Sequence, residues 1–325
     1  MRDAFEKFEA KGIKLYALSY DDQETLEEFG RHHQIPYTLL SDIDSSVIKQ
    51  FGLLNTEVSK SDAFLYGIPF PGVYICNENG IVLSKFFHDS YKKRESPEAL
   101  IDAALGKIVI DENAPKASVI EGGVAITASV RGGNASLRQG IIRQLIIRFE
   151  LPEGLHIYGD PVPEGLTATT ISVAGPEGLQ VMPAQYPPSS PLRLESLGVE
   201  LQVWSGQVDV AIPIYATGEL ASECRPLDAP STSLSINIHY QACDDTTCLL
   251  PTHRHMTLDL PLDVIEVPNL PMHTGHGQRE GDYDSLPALR RLLWRKIKRN
   301  PLRLIQFILK NRRLERAARQ RQRKA

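Results

Sequence analysis

Apolar and polar positions change rhythm three times along the chain. Over residues 1–107, short extended runs are interleaved with helical ones. Residues 13–20 read as a strand, 22–33 as a helix, 37–41 as a strand and 45–51 as a short helix. After Gly67-Ile68-Pro69-Phe70-Pro71-Gly72, apolar runs at 73–76 and 81–87 flank Asn77-Glu78-Asn79-Gly80, a composition that suits a hairpin turn. Ser96-Pro97-Glu98 opens a last helix to about residue 105, with Ser as N-cap and Pro at the first helical position. From about 118 to 267, Val, Ile and Thr alternate with polar residues, and Gly and Pro punctuate them. At least seven short strands are expected, at 124–130, 143–151, 167–173, 200–204, 208–215, 233–240 and 256–262, as in a sandwich of antiparallel sheets. Residues 108–117, with Asp111-Glu112-Asn113 and Pro115, read as a linker. Past a polar, Gly-bearing stretch at 274–284, Leu289, Leu292, Leu293 and Ile297 recur at helical spacing until Pro301 interrupts them. The expected fold class is therefore multidomain, α/β followed by all-β, with units at 1–107 and 118–267 and a basic amphipathic helical tail at 285–325.

Composition sharpens this picture in two places. A chain of 325 residues that is 42% hydrophobic and 23% charged, with mean hydropathy -0.21, is neither collagen-like nor wholly disordered. The net charge of -4 averages two unlike segments. Residues 286–325 hold 15 Lys/Arg against one acid, leaving 21 basic and 39 acidic residues for the remainder. No run reaches the ~18 consecutive apolar residues of a spanning helix. The N-terminus lacks the apolar core and cleavage site of a secretory signal. A periplasmic location is expected if an export signal precedes Met1, and a cytoplasmic one otherwise.

Of four cysteines only Cys243 and Cys248 lie close in sequence, so thiol chemistry concentrates there. Before them Leu234, Ile236, Ile238 and Tyr240 alternate with polar residues; after them Met256, Leu258, Leu260 and Leu262 do the same. The pair thus brackets a four-residue polar turn between neighbouring strands. Facing residues of an antiparallel ladder have Cα atoms about 4.5–5.5 Å apart, largely inside the ~4.4–6.8 Å that a disulfide tolerates. A bridge closing so short a loop is expected to be strained and exchange-competent. Asp244 and Asp245 disfavour a thiolate at Cys243, so rapid exchange is expected to need a docked partner. Plainer readings compete: a structural disulfide stapling a hairpin, or a zinc site of Cys243, Cys248, His253 and His255, against which the two-residue spacing of the histidines argues. No metal or other cofactor is expected. Cys76, inside an apolar run, reads as an inert core thiol, and Cys224, beside Arg225, as a lone loop thiol with a cation next to it.

Four segments, Lys14-Leu15-Tyr16-Ala17-Leu18-Ser19-Tyr20-Asp21, Leu39-Leu40-Ser41-Asp42, Tyr66-Gly67-Ile68-Pro69-Phe70-Pro71-Gly72 and Asn79-Gly80, carry a resemblance. In them the N-terminal half resembles the C-terminal two-thirds of a redoxin, of the peroxiredoxin and thiol-specific antioxidant branch of the thioredoxin superfamily. The resemblance implies an incomplete thioredoxin-like fold, with Pro71 at the cis-proline position where a partner peptide docks. It also implies that the strand and helical turn bearing the reactive cysteine lie upstream of Met1, residues 1–11 being the remainder of that helix. Peroxidase activity is accordingly not expected.

A second resemblance rests on Tyr240-Gln241-Ala242-Cys243 with Cys248-Leu249-Leu250-Pro251, and on Gly154-Leu155-His156-Ile157-Tyr158-Gly159-Asp160-Pro161. Here residues 118–265 resemble the N-terminal domain of the DsbD thiol:disulfide interchange proteins. This implies an immunoglobulin-like sandwich in which Cys248 forms the mixed disulfide and Cys243 resolves it. Tyr240, Gln241, Pro251, His156 and Tyr158 would serve partner docking, and the partner would be a thioredoxin-fold redox protein. The expected function is thiol–disulfide exchange, the alternative a non-catalytic interaction protein with a structural Cys243–Cys248 disulfide. The basic tail reads either as a solvated helix docked on the acidic body or as a contact for an anionic membrane surface. It has no aromatic–basic platform for specific nucleic-acid reading.

Overall fold

The computed structural model describes residues 1–56, 67–88, 93–194, 199–225, 228–244, 247–266 and 286–299, together with 301, 302, 305 and 309. Tyr66, Asp245, Thr246, residues 274–284 and most of the tail beyond residue 302 lie outside the described residues.

The N-terminal unit runs α1 (Phe5–Glu9), β1 (Tyr16–Ser19), α2 (Gln23–His33), β2 (Thr38–Ser41), α3 (Ser46–Gln50), β3 (Gly72–Cys76), β4 (Val82–Phe87), β5 (Arg94–Glu95) and α4 (Pro97–Leu105). Local chemistry sets these boundaries. Asp22 caps α2 by accepting from the Thr25 amide, Ser96 caps α4 by accepting from the Ala99 amide, and Gly106 ends α4 in the left-handed region. β1 and β2 pair in parallel and β3 and β4 antiparallel, as two separate two-stranded sheets. A small core of Phe8, Leu100 and Ile101 gathers Val73, Ile75 and Phe86 around it.

Two expectations fail in this unit. Cys76 is exposed, not buried. Val73 and Ile75 take the inward positions of β3, so Cys76 falls with Tyr74 on the other face, and the register with β4 shifts just before it. The cis peptide among the described residues is Asp160–Pro161, whereas the Phe70–Pro71 bond is trans. That segment is occupied instead in pairing with residues 53–55, through Asn55 N–H to Ile68 O and Phe70 N–H to Leu53 O.

The second unit contains β6 (Lys116–Glu121), β7 (Val124–Arg131), β8 (Leu137–Arg138), β9 (Ile141–Glu150), β10 (His156–Tyr158), β11 (Thr170–Ala174), β12 (Leu179–Val181), β13 (Ser190–Leu194), β14 (Val199–Ser205), β15 (Gln207–Ala216), α5 (Gly218–Ala221), β16 (Ser231–Tyr240), β17 (Ala242–Cys243) and β18 (Thr252–Asp263). One sheet is ordered β12-β15-β9-β7-β6, a second β11-β16-β18-β8 and a third β13-β14-β10-β17. Inward positions of β7, β9, β15, β16 and β18 form one apolar core, from Val124, Ile126 and Phe149 through Val210 and Ile212 to Ile236, Ile238 and Leu258. The seven strands expected from alternation all occur. The expected linker is shorter than it reads in sequence, because β6 begins at Lys116.

The two units are joined by more than chain. β5 adds in parallel to β9, pairing Arg94 with Ile141 and Glu95 with Ile142. From α4, Asp102 accepts a bidentate pair from Arg131 at 2.9 and 3.0 Å. Glu98 sits 2.7 Å from Lys7 and 3.6 Å from Arg143. Gly132 lies at φ +91°, and a Cβ there would stand 2.5 Å from the Glu98 carboxylate, so the close approach of α4 requires glycine.

Candidate functional site

The chain leaves β16 at Gln241 and crosses into another sheet, where Ala242-Cys243 form β17 against β10, His156 facing Cys243. The turn that follows brings Cys248 back opposite Cys243. Leu249 N–H donates to Ala242 O at 2.9 Å and Asp244 N–H to Thr247 O at 3.0 Å. The cysteines lie between those two bonds, which makes them a non-hydrogen-bonded antiparallel pair. Such pairs have the shorter Cα separation, about 4.5 Å, within the range that admits a disulfide. Thr247 N–H also donates to Asp244 Oδ1 at 2.6 Å, so the aspartate next to Cys243 closes the turn.

The two sulfurs differ in exposure. Cys243 is fully buried among Tyr158, Leu201 and Val203, with Val162, Leu166 and Leu192 packed around them, whereas Cys248 is exposed. The Tyr158 hydroxyl lies 3.5 Å from Cys248 Sγ. Burial pushes the Cys243 thiol up to about 12; the Cys248 sulfur beside it adds to the rise, and the Tyr158 hydroxyl works against it. Burial likewise raises the Tyr158 phenol, with both cysteines adding to the effect. At neutral pH Cys243 is therefore a protonated thiol next to a protonated phenol.

Several residues expected to dock a partner are buried in the frame that holds the pair. Tyr240 belongs to the main core, its ring edge-on to Phe149 at 5.7 Å. This follows from the alternation that put it in register with Leu234, Ile236 and Ile238. Gln241 is buried: its Oε1 accepts from the Thr167 amide at 2.9 Å and its Nε2 donates to Leu249 O at 2.9 Å. It ties the cysteine turn to the loop after β10. His156 and Tyr158 are buried too, their rings edge-on at 5.3 Å, with the Tyr158 hydroxyl reaching Cys248 Sγ. Pro251 is exposed, and so are Leu249 and Leu250, the latter 85% exposed. The leucine pair is the apolar surface nearest Cys248. Its signal in the sequence is the adjacency of two leucines to a cysteine in a polar turn. Pro71 lies half-buried in the N-terminal unit, next to the segment that pairs with residues 53–55.

His253 and His255 project outward from β18, His255 Nε2 lying 2.9 Å from Ser235 Oγ. Among the described residues no group of three or more His, Cys, Asp or Glu is placed to hold a metal ion. Cys224 is half-buried beyond α5; its amide donates to Ser222 Oγ at 3.0 Å and its carbonyl accepts from Arg291.

Comparison with known proteins finds different families at the two ends of the chain. Residues 1–85 match the AhpC/TSA family, and residues 133–260 match the N-terminal region of the thiol:disulfide interchange protein DsbD. The N-terminal part is similar to chloroplastic peroxiredoxin Q of Suaeda salsa, 33% identical over 104 residues, 32% of this chain and 43% of the relative. It is also similar to a putative chloroplastic peroxiredoxin Q of Oryza sativa subsp. indica, 34% identical over 82 residues, 25% of this chain and 34% of the relative. The chain thus spans less than half the length of either. Among solved structures, the N-terminal periplasmic domain of ScsB from Proteus mirabilis aligns at 17% identity and TM-score 0.32, over 46% of this chain and 52% of that one. The reduced N-terminal domain of Neisseria meningitidis DsbD aligns at 15% identity and TM-score 0.24, over 46% and 83%. The N-terminal part of the chain resembles the redoxins and the C-terminal part the DsbD N-terminal domain. Among the described residues no helix is long and apolar enough to cross a membrane.

Proposed function

We propose that the sandwich exchanges disulfides with a thioredoxin-fold redox protein through Cys243 and Cys248. The observation that carries this reading is the asymmetric pair: two facing cysteines, one buried and held protonated, the other exposed beside an apolar surface. The exposed Cys248 thiolate attacks a disulfide sulfur of the partner, forming a mixed disulfide and expelling the partner's second sulfur as a thiolate. The negative charge beside Cys243 is thereby consumed, which removes one of the causes holding its thiol protonated. Cys243 then loses its proton and attacks Cys248 Sγ, the Cys243–Cys248 disulfide forms, and the partner leaves as a dithiol. Two electrons pass to the partner, and the reverse sequence carries them back. The DsbD match over 133–260 supports this chemistry. Leu249, Leu250 and Pro251 supply the docking surface around Cys248, and the AhpC/TSA-like unit, whose one cysteine is the exposed Cys76, acts as a non-peroxidatic companion.

The test is reduction of insulin or of an oxidised thioredoxin-fold protein by the reduced chain. Cys248→Ser is expected to abolish exchange, and Cys243→Ser to accumulate a mixed disulfide that runs as a covalent complex on a non-reducing gel. Equal activity of wild type and Cys248→Ser would leave the pair as a structural staple and overturn the proposal.

A further inference from the structure

The helix α6 (Leu286–Arg299) presents two faces of opposite use. One is clamped to the body. Glu223, buried beyond α5, meets Lys296 at 3.0 Å and Arg299 at 2.8 Å, and its carbonyl accepts from Arg295. Arg291 Nε donates to Cys224 O at 2.6 Å, Arg299 also reaches Glu266 at 3.1 Å, and Leu292 is buried. These contacts fix which way the helix faces.

The other face carries apolar groups into solvent. Trp294 is 69% exposed and Ile297 is exposed next to it, with Arg290 and Lys298 exposed around them. Past Pro301 the described residues Leu302, Ile305 and Leu309 are helical, recur at i, i+3 and i+7, and are more than half exposed. Exposed large apolar side chains at helical spacing on a segment with 15 Lys/Arg and one acid have no reason to exist in water alone. We propose that this face lies on an anionic lipid bilayer, its Trp, Ile and Leu side chains entering the headgroup boundary while the arginines and lysines meet lipid phosphates. Charge complementarity identifies the lipid as anionic, and the apolar stripe separates it from nucleic acid, whose phosphates draw on the cations alone. The clamp at Glu223 would hold the sandwich and its cysteine pair at the membrane surface.

Co-sedimentation of the full chain with vesicles tests this, using phosphatidylcholine alone, phosphatidylcholine mixed with phosphatidylglycerol, and random-sequence duplex DNA as competitor. Binding is expected to the mixed vesicles and not to phosphatidylcholine alone, and brominated phosphatidylglycerol should quench the tryptophan emission. The triple variant Trp294→Ser/Ile297→Ser/Ile305→Ser, with circular dichroism and thiol exchange confirmed as wild type, should bind the mixed vesicles at least about tenfold more weakly. Failure of the wild type to bind mixed vesicles, wild-type affinity in the triple variant, absence of quenching, or displacement of the vesicles by DNA would each overturn the proposal.

Discussion

The two units of this chain solve the same burial problem to different degrees. Among the described residues the sandwich gathers 26 buried apolar side chains in one cluster, whereas the N-terminal unit gathers four. In the N-terminal unit no residue of β1, β2, β3, β4 or α2 is fully buried, and Tyr16, Phe29, Leu40 and Phe51 are all substantially exposed. Its sheet is split in two, so each pair of strands covers little of the other's surface. The difference teaches that a unit with clear motifs can still lean on its neighbour for stability. Here the leaning is visible in β5 on β9 and in α4, whose acidic residues face Arg131 and Arg143.

The largest break in this comparison comes from the sandwich core. Phe149→Ala removes a fully buried ring and is expected to cost about 3–5 kcal/mol in chemical denaturation. Phe29→Ala in α2, half exposed, should cost no more than about 0.5 kcal/mol; a comparable loss at both positions would mean the units are equally packed. Next in size is the junction. Asp102→Ala leaves the Arg131 guanidinium unpaired and largely buried, which is expected to cost about 2–3 kcal/mol and to separate the two units into distinct unfolding transitions by calorimetry. A single transition at unchanged temperature would show that α4 does not couple them.

A smaller effect should appear as pH dependence. Burial raises the Glu95 carboxyl from its ordinary 4.5 to about 7, at a position 3.2 Å from His88 Nε2. A folded-state pKa above the unfolded one gives stability that is fully present below about 4.5 and is lost as pH rises through about 7. Glu95→Gln should flatten that slope and stabilise the chain at pH 8 by about 1 kcal/mol. An unchanged slope would place the carboxyl in contact with water.

Legibility in the sequence followed the strength of periodicity. The long strands β7, β9, β15, β16 and β18 were visible because each alternates over many residues against one core. The sheet switch at Gln241 was not, because a two-residue strand such as β17 has no period, and its partner β10 is only three residues long. The cysteine pair could be read from the turn between β16 and β18, but the burial of Cys243 depends on β10 and β14 arriving from elsewhere. The burial of Tyr240 was legible in its alternation with Leu234, Ile236 and Ile238. Cys76 misled because an unbroken apolar run hides which of its residues face the core, and Cys76 shares parity with Tyr74 rather than Ile75.

One contact also fixes what position 241 can be. The Gln241 side chain accepts at one end, from Thr167, and donates at the other, to Leu249, inside a space closed to water. Glutamate has the same length but would turn a lone pair toward the Leu249 carbonyl, and leucine would strand both backbone groups. The site is therefore addressed by an amide with a direction, and a single-atom exchange of nitrogen for oxygen would loosen the turn that carries Cys248 while leaving both sulfurs in place.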